Sequence, residues 1–104
     1  MIDPEKLAQM MQQAQSMQQK MQESLQSQRV EGQAGGGMVR VAMNGAYEIV
    51  SLKIEPSVVD PNDVGMLEDL VRAALNDAVA RVEEARLEQA RQMAGQLGVP
   101  PGML

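Results

Sequence analysis

Residues 32–56, GQAGGGMVRVAMNGAYEIVSLKIEP, decide the fold. Val39, Val41 and Met43 point one way and Arg40 and Ala42 the other. Beyond Asn44-Gly45, Val50, Leu52 and Ile54 alternate with Ser51, Lys53 and Glu55. That period of two is the mark of half-buried strands. Asn-Gly signals a hairpin. A strict two-residue turn would set Glu48 opposite Val41 on the apolar face, so a four-residue loop over 44–47 is expected, pairing Val41 with Val50 and Val39 with Leu52. In that register Arg40 faces Ser51, and Lys53 is its diagonal neighbour on the outer face. Val30 to Ala34 supply a third, weaker strand, with Gly35, Gly36 and Gly37 at the corner of a small antiparallel meander.

Three readings of the glycine run compete. It can cradle an anion with backbone N–H groups, act as a flexible linker, or permit a tight corner or a close backbone approach. A phosphate loop needs a strand before it, a helix directly after it and a nearby Lys with Ser or Thr. Here the glycines run into a strand, so the corner reading fits best. Gly45 completes the set of structural glycines.

Outward from this stretch the period lengthens. Asp3 is placed to cap a helix with Pro4 in its first position, and Leu7, Met10, Ala14, Met17 and Met21 then recur at steps of three and four. The resulting rod, from Asp3 to about Gln28, is polar and Gln-rich with one narrow seam. On the other side, Asp60 and Pro61 give the same start signal. Val64, Leu67, Val71, Ala74, Leu75, Ala78, Val82 and Ala85 lie on one stripe of a helix running to about Met93 and stopped by Gly95 or Gly98. At about 1.5 Å per residue this second helix is much longer than the strands. Both stripes therefore continue past the sheet, and they are expected to pair with each other or with another copy of the chain. The architecture expected is α+β: long N-terminal helix, three-stranded antiparallel sheet, long C-terminal helix, in one domain over 1–98 with a flexible tail over 99–104.

Composition narrows the chemistry. The 104 residues are 44% hydrophobic but 1% aromatic, with ten Met, one Tyr, no Phe and no Trp. A core of Val, Leu, Ile, Ala and Met is adaptable. A chain of this size also buries a limited share of its surface, which favours a homodimer. With no Cys and no His, thiol nucleophiles, imidazole or thiolate metal ligands and the usual neutral-pH proton carrier are absent. The expectation is a protein that is not an enzyme and that uses no metal, cofactor or small-molecule substrate. The N-terminal residues MIDPEKLAQMM show no targeting pattern and no apolar run reaches the length of a membrane span, so a cytoplasmic protein is expected.

The stretch VEGQAGGGMVRVAMNG, followed by SLKIEPSVVDPNDVGMLEDLVRAALNDAVARVEE, resembles the YbaB/EbfC family of bacterial nucleoid-associated proteins over residues 30–84. The glycine run, the Asn-Gly hairpin, VVDP and LEDLVRAALNDA follow the family's order and spacing. The resemblance implies a dimer whose paired helices project like tweezer arms from a sheet-based body. It further implies sequence-tolerant binding to double-stranded DNA, nucleoid association and an effect on transcription.

Charge alone argues less for DNA. The net charge is −5 and the sequence pI about 4.6, and each arginine of the second helix follows an acidic residue at ion-pairing distance: Glu68 before Arg72, Asp77 before Arg81, Glu83 before Arg86, Glu88 before Arg91. Lys20, Arg29, Arg40 and Lys53 are less neutralised, and Arg40 with Lys53 forms the one compact basic pair. These eight cations are the candidate DNA contacts, and without an aromatic platform or a recognition helix any contact would be phosphate-dominated, to backbone and groove shape. The seam candidates for pairing are Leu7, Met10, Met17 and Met21 on the first helix and Leu67, Val71, Leu75, Ala78 and Val82 on the second. The alternative is a helical interaction module that grips a partner protein through its Met-rich helix or arms.

Overall fold

A computed structural model describes residues 3–98, so the tail expected at 99–104 lies outside the described residues. Helix α1 spans Pro4–Ser27, strands β1, β2 and β3 span Val30–Ala34, Val39–Met43 and Ile49–Ile54, and helix α2 spans Val64–Gln96. The three strands form one antiparallel sheet in sequence order. The expected α+β architecture is therefore present, with β1 at its anticipated limits. The radius of gyration is 20.3 Å, against about 13 Å for a compact domain of this length.

Helix α1 begins as expected, with the Asp3 carboxylate accepting from the Glu5 N–H at 3.2 Å. Helix α2 begins three residues later than its first start signal. The Asp60 side chain accepts from Asn62 N–H at 2.9 Å in a local turn, and Asp63 caps the helix by accepting from Met66 N–H at 3.3 Å. The two acidic residues offer the same chemistry. Placing the turn after the buried Val58 leaves the second of them at the helix start.

The core lies between α2 and the inner face of the sheet. Ala74, Ala78 and Val82, at successive steps of four on α2, meet Val39, Val41 and Met43, and Leu67, Val71 and Leu75 pack at the margin. Burying a valine side chain fully contributes about 1.5 to 3 kcal/mol. The approach is close because β1 carries Gly32. A Cβ there would stand 2.3 Å from the Ala78 nitrogen and 2.5 Å from the Ala74 oxygen, both backbone atoms. Gly35, Gly36 and Gly37 instead make the β1–β2 corner, with φ of +64°, +69° and +92°, a region in which other residues are strained.

The β2–β3 register differs from the sequence expectation by two residues. Val41 pairs with Leu52, Val39 with Ile54 and Arg40 with Lys53, while Met43 pairs with Ile49 and Ala42 with Ser51. The cause is a turn one residue longer, 44–48, followed by a bulge at Val50. Asn44 Oδ1 accepts from both Ala46 N–H at 2.9 Å and Glu48 N–H at 3.0 Å, which holds Glu48 in the turn and makes Ile49 the first strand residue. Tyr47, with φ of 61°, supplies the left-handed residue of this loop, a role the sequence gives to glycine. Gly45 is needed for a different reason. Its N–H donates to Leu25 O at 2.8 Å, and a Cβ there would stand 2.9 Å from that same oxygen.

That contact is where α1 joins the body. No residue of α1 is buried, and Leu25 at its last turn, with Gln28 just beyond, is half-buried. Leu7, Met10, Met17 and Met21 are all exposed. Within one chain, then, the Met seam is not covered by the α2 stripe.

Candidate nucleic-acid interface

The nine cations of the chain divide by what already holds them. Among the described residues Arg72 pairs with Asp69 at 3.0 Å, Arg81 with Asp77 at 3.1 Å, and Arg40 stands 3.9 Å from Glu31. Arg72 thus takes Asp69 at a spacing of three rather than the Glu68 suggested by its spacing of four. The pairs expected between Glu83 and Arg86 and between Glu88 and Arg91 do not form. Arg86 lies over the Tyr47 ring with its guanidinium carbon 5.4 Å from the centroid, a cation–π distance.

Arg29 is turned to the end of α1, where its Nη1 donates to the carbonyls of Gln26 and Gln28. This is favourable at the negative end of a helix and uses part of its donor capacity. Lys20 borders a cleft of about 510 Å³ between the second half of α1 and the last third of α2, which it shares with Ser24, Gln28, Gln89 and Gln92. Among the described residues no carboxylate lines that cleft.

Asp77 ties α2 to β1. Its Oδ2 accepts from the Gln33 backbone N–H at 3.0 Å and from Arg81 Nε at 3.1 Å. The backbone hydrogen bond first, and Arg81 second, hold its carboxyl below the ordinary value of 3.8. Arg81 is therefore committed to a structural contact. By contrast Arg40 and Lys53, opposite each other on β2 and β3, are both exposed on the sheet face away from α2. The structure thus brings together Arg40 with Lys53, and it separates Arg72 from Arg86 and Arg91 along α2.

Residues 3–97 match the model of the YbaB/EbfC DNA-binding family. The chain belongs to that family. Its YbaB/EbfC relatives include the nucleoid-associated protein amb4104 of Paramagnetospirillum magneticum, 48% identical over 99 residues that cover 92% of this chain and 92% of the relative. A nucleoid-associated protein of Legionella pneumophila strain Corby is 43% identical over 94% of this chain and 89% of its own length. Among solved structures, an uncharacterized protein of Helicobacter pylori, HP0035, superposes with a TM-score of 0.64 at 29% identity, covering 89% of this chain and 98% of that one. The YbaB/EbfC family is a DNA-binding family rather than an enzyme family.

Sequence reasoning missed Gly32, Tyr47 and the Asp77–Gln33 link. The signal for Gly32 was available in Ala74 and Ala78, two small residues four apart that invite close backbone approach. Nothing local announces the other two.

Proposed function

We propose that this chain is a dimeric, nucleoid-associated DNA-binding protein of the bacterial cytoplasm that contacts phosphates with little regard to sequence and thereby affects gene expression. The observation that carries the reading is the family match over residues 3–97. Names of relatives that call them nucleoid-associated support it. Arg86, Arg91 and Lys20, which carry no ion pair among the described residues, give the helices cations to offer. No helix of the described residues is long and apolar enough to cross a membrane.

The dimer is supported by β3. It is an edge strand whose Ile49, Val50 and Leu52 are exposed, although Leu52 shares the face of the fully buried Val41 through their pairing. A bare, apolar edge of this kind invites another strand or chain. The opposite edge differs, since Asp77 occupies the N–H of Gln33 on β1. A second copy seated against β3 would cover the apolar row in a symmetric, self-complementary interface. Sedimentation tests this: the parent runs as a dimer at micromolar concentration and Leu52→Lys as a monomer. A parent that stays monomeric and folded rejects the dimer.

For DNA, an electrophoretic mobility shift series with duplexes is decisive. Affinity is expected to fall at least about tenfold between 50 and 200 mM salt, and no shift at low salt with any duplex rejects the reading. The second reading, a helical module that grips a protein partner, is favoured by one observation, the exposed Met seam of α1, because Met repacks readily against varied surfaces. Substituting Met10, Met17 and Met21 with Ser separates the two: loss of a protein partner with DNA affinity retained favours the second.

A further inference from the structure

We propose that the outer face of the sheet carries a phosphate-binding site made by Arg40 and Lys53, and that this site holds the DNA backbone against the body of the protein in addition to any contact from the helices. The assignment rests on the DNA-binding reading above. Four observations converge on it.

First, the five-residue turn and the bulge at Val50 together place the two cations directly opposite each other. Their Cβ atoms are thus about 4.5 to 5.5 Å apart, a like-charge pairing that disfavours the free sheet and that an anion bound between them would relieve. Second, the glycine corner orients Arg40. Its Nε donates to Gly37 O at 3.1 Å, and a Cβ on Gly37 would stand 3.2 Å from Nη2. Gly37 therefore leaves room for the guanidinium and takes its inner N–H. The terminal nitrogens have no acceptor among the described residues, which leaves the two-pronged edge suited to phosphate free.

Third, the floor beside the pair is small and polar. Ala42 and Ser51, the next pair on this face of the same two strands, join Glu31, Arg40 and Lys53 around a hollow of about 150 Å³. The Ser51 hydroxyl offers a further donor. Glu31 is the carboxylate on this rim, 3.9 Å from the Arg40 Nε side, beyond hydrogen-bond range and on the edge that Gly37 already occupies. Fourth, among the described residues no helix covers this face, because α2 packs on the opposite side with Val39 and Val41. Arg40 sits on the central strand and Lys53 is paired with it from the edge strand, so the hydrogen-bonded ladder fixes the spacing of their backbones, as a pre-organised site requires. The chemistry selects a phosphodiester on an extended surface. A base edge is disfavoured because the site lacks a ridge to enter a groove.

The test is fluorescence anisotropy of a labelled duplex against the full chain over a salt series. Each phosphate contact contributes about 0.9 to the slope of log affinity against log salt. Per protomer engaged, the parent is therefore expected to lose about tenfold more affinity between 50 and 200 mM salt than Arg40→Gln/Lys53→Gln. Lys53→Gln alone leaves the Arg40–Gly37 bond intact and is expected to show about a threefold to fourfold difference, so a folding defect in the double variant does not mask the result. Circular dichroism is expected to show both variants melting no lower than the parent. A control matched in charge to the single variant, Lys6→Gln, is expected to keep the parent slope. The proposal is overturned if the sheet variants keep the parent slope, or if the control flattens it equally, while the parent still binds DNA. A parent that binds no duplex overturns the functional reading and this site with it.

Discussion

Helices α1 and α2 start alike and end in different circumstances. Each opens on an Asp whose carboxylate accepts a backbone N–H of the first turn, from Glu5 and from Met66, and each carries an apolar stripe at helical spacing. Yet α2 buries Ala74, Ala78 and Val82 while α1 buries nothing. The stripes differ in shape more than in hydrophobicity. Small residues at steps of four let the α2 backbone lie on Gly32, and the valines of β2 fill the space beside it. The Met seam of α1 has no such receiving surface within its own chain. A periodic stripe thus predicts that a helix has a face, and only a complementary surface decides whether that face is used.

The contrast breaks most severely at Gly32. Gly32→Val is expected to cost about 3 kcal/mol or more and to lower the melting temperature by at least about 12 °C, because a Cβ would meet the α2 backbone rather than a movable side chain. Met17→Ala on α1 is expected to shift melting by less than about 0.5 kcal/mol in the single chain. If calorimetry finds the two comparable, the α1 seam is covered in solution and the contrast fails. Val41→Ala, at a fully buried position, sharpens the same comparison from the sheet side, with an expected loss of about 2 kcal/mol in denaturant titration.

The next effect concerns backbone alone. Gly36 has open space around it but a φ of +69°, so Gly36→Ala is expected to cost about 1 to 2 kcal/mol. Gly65→Ala, also in open space but within α2, is expected to be neutral or stabilising by about 0.5 kcal/mol. Equal melting temperatures for the two would remove the left-handed constraint at the corner.

The smallest effect is the pH dependence at Asp77. The native carboxyl titrates below its ordinary 3.8, so the folded state favours the ionised form. Its contribution is fully present above the unfolded value and is lost as pH falls through the lowered native one. Parent and Asp77→Asn melting curves are therefore expected to differ at neutral pH and to converge as pH falls below 3.8 and through the lowered native value. A gap that persists in acid contradicts the linkage.

Much of this fold was legible because it is written locally. The Asp3-Pro4 start of α1, the alternation of Val39, Val41 and Met43, and the glycine corner each depend on neighbours in sequence. What escaped depends on distant partners. Gly45 looks like half of an Asn-Gly turn, yet its identity is set by the last turn of α1, while the left-handed turn position falls to Tyr47. The start of α2 was ambiguous because Asp60 and Asp63 both satisfy the capping rule. Among the site residues, the Arg40–Lys53 neighbourhood was legible from strand alternation, though its register was not. The choice of Asp69 over Glu68 by Arg72, and of Tyr47 over Glu83 by Arg86, depends on side-chain geometry that spacing leaves open.

The hydrogen bond from Gly45 to Leu25 makes the hairpin tip a pivot. A helix of 24 residues extends about 36 Å from that point. A rotation of about ten degrees there sweeps the far end, near Pro4, through about 6 Å. The span that α1 can reach is thus governed by the angle of one turn, and a substitution at the tip of the hairpin is magnified several-fold at the opposite end of the molecule.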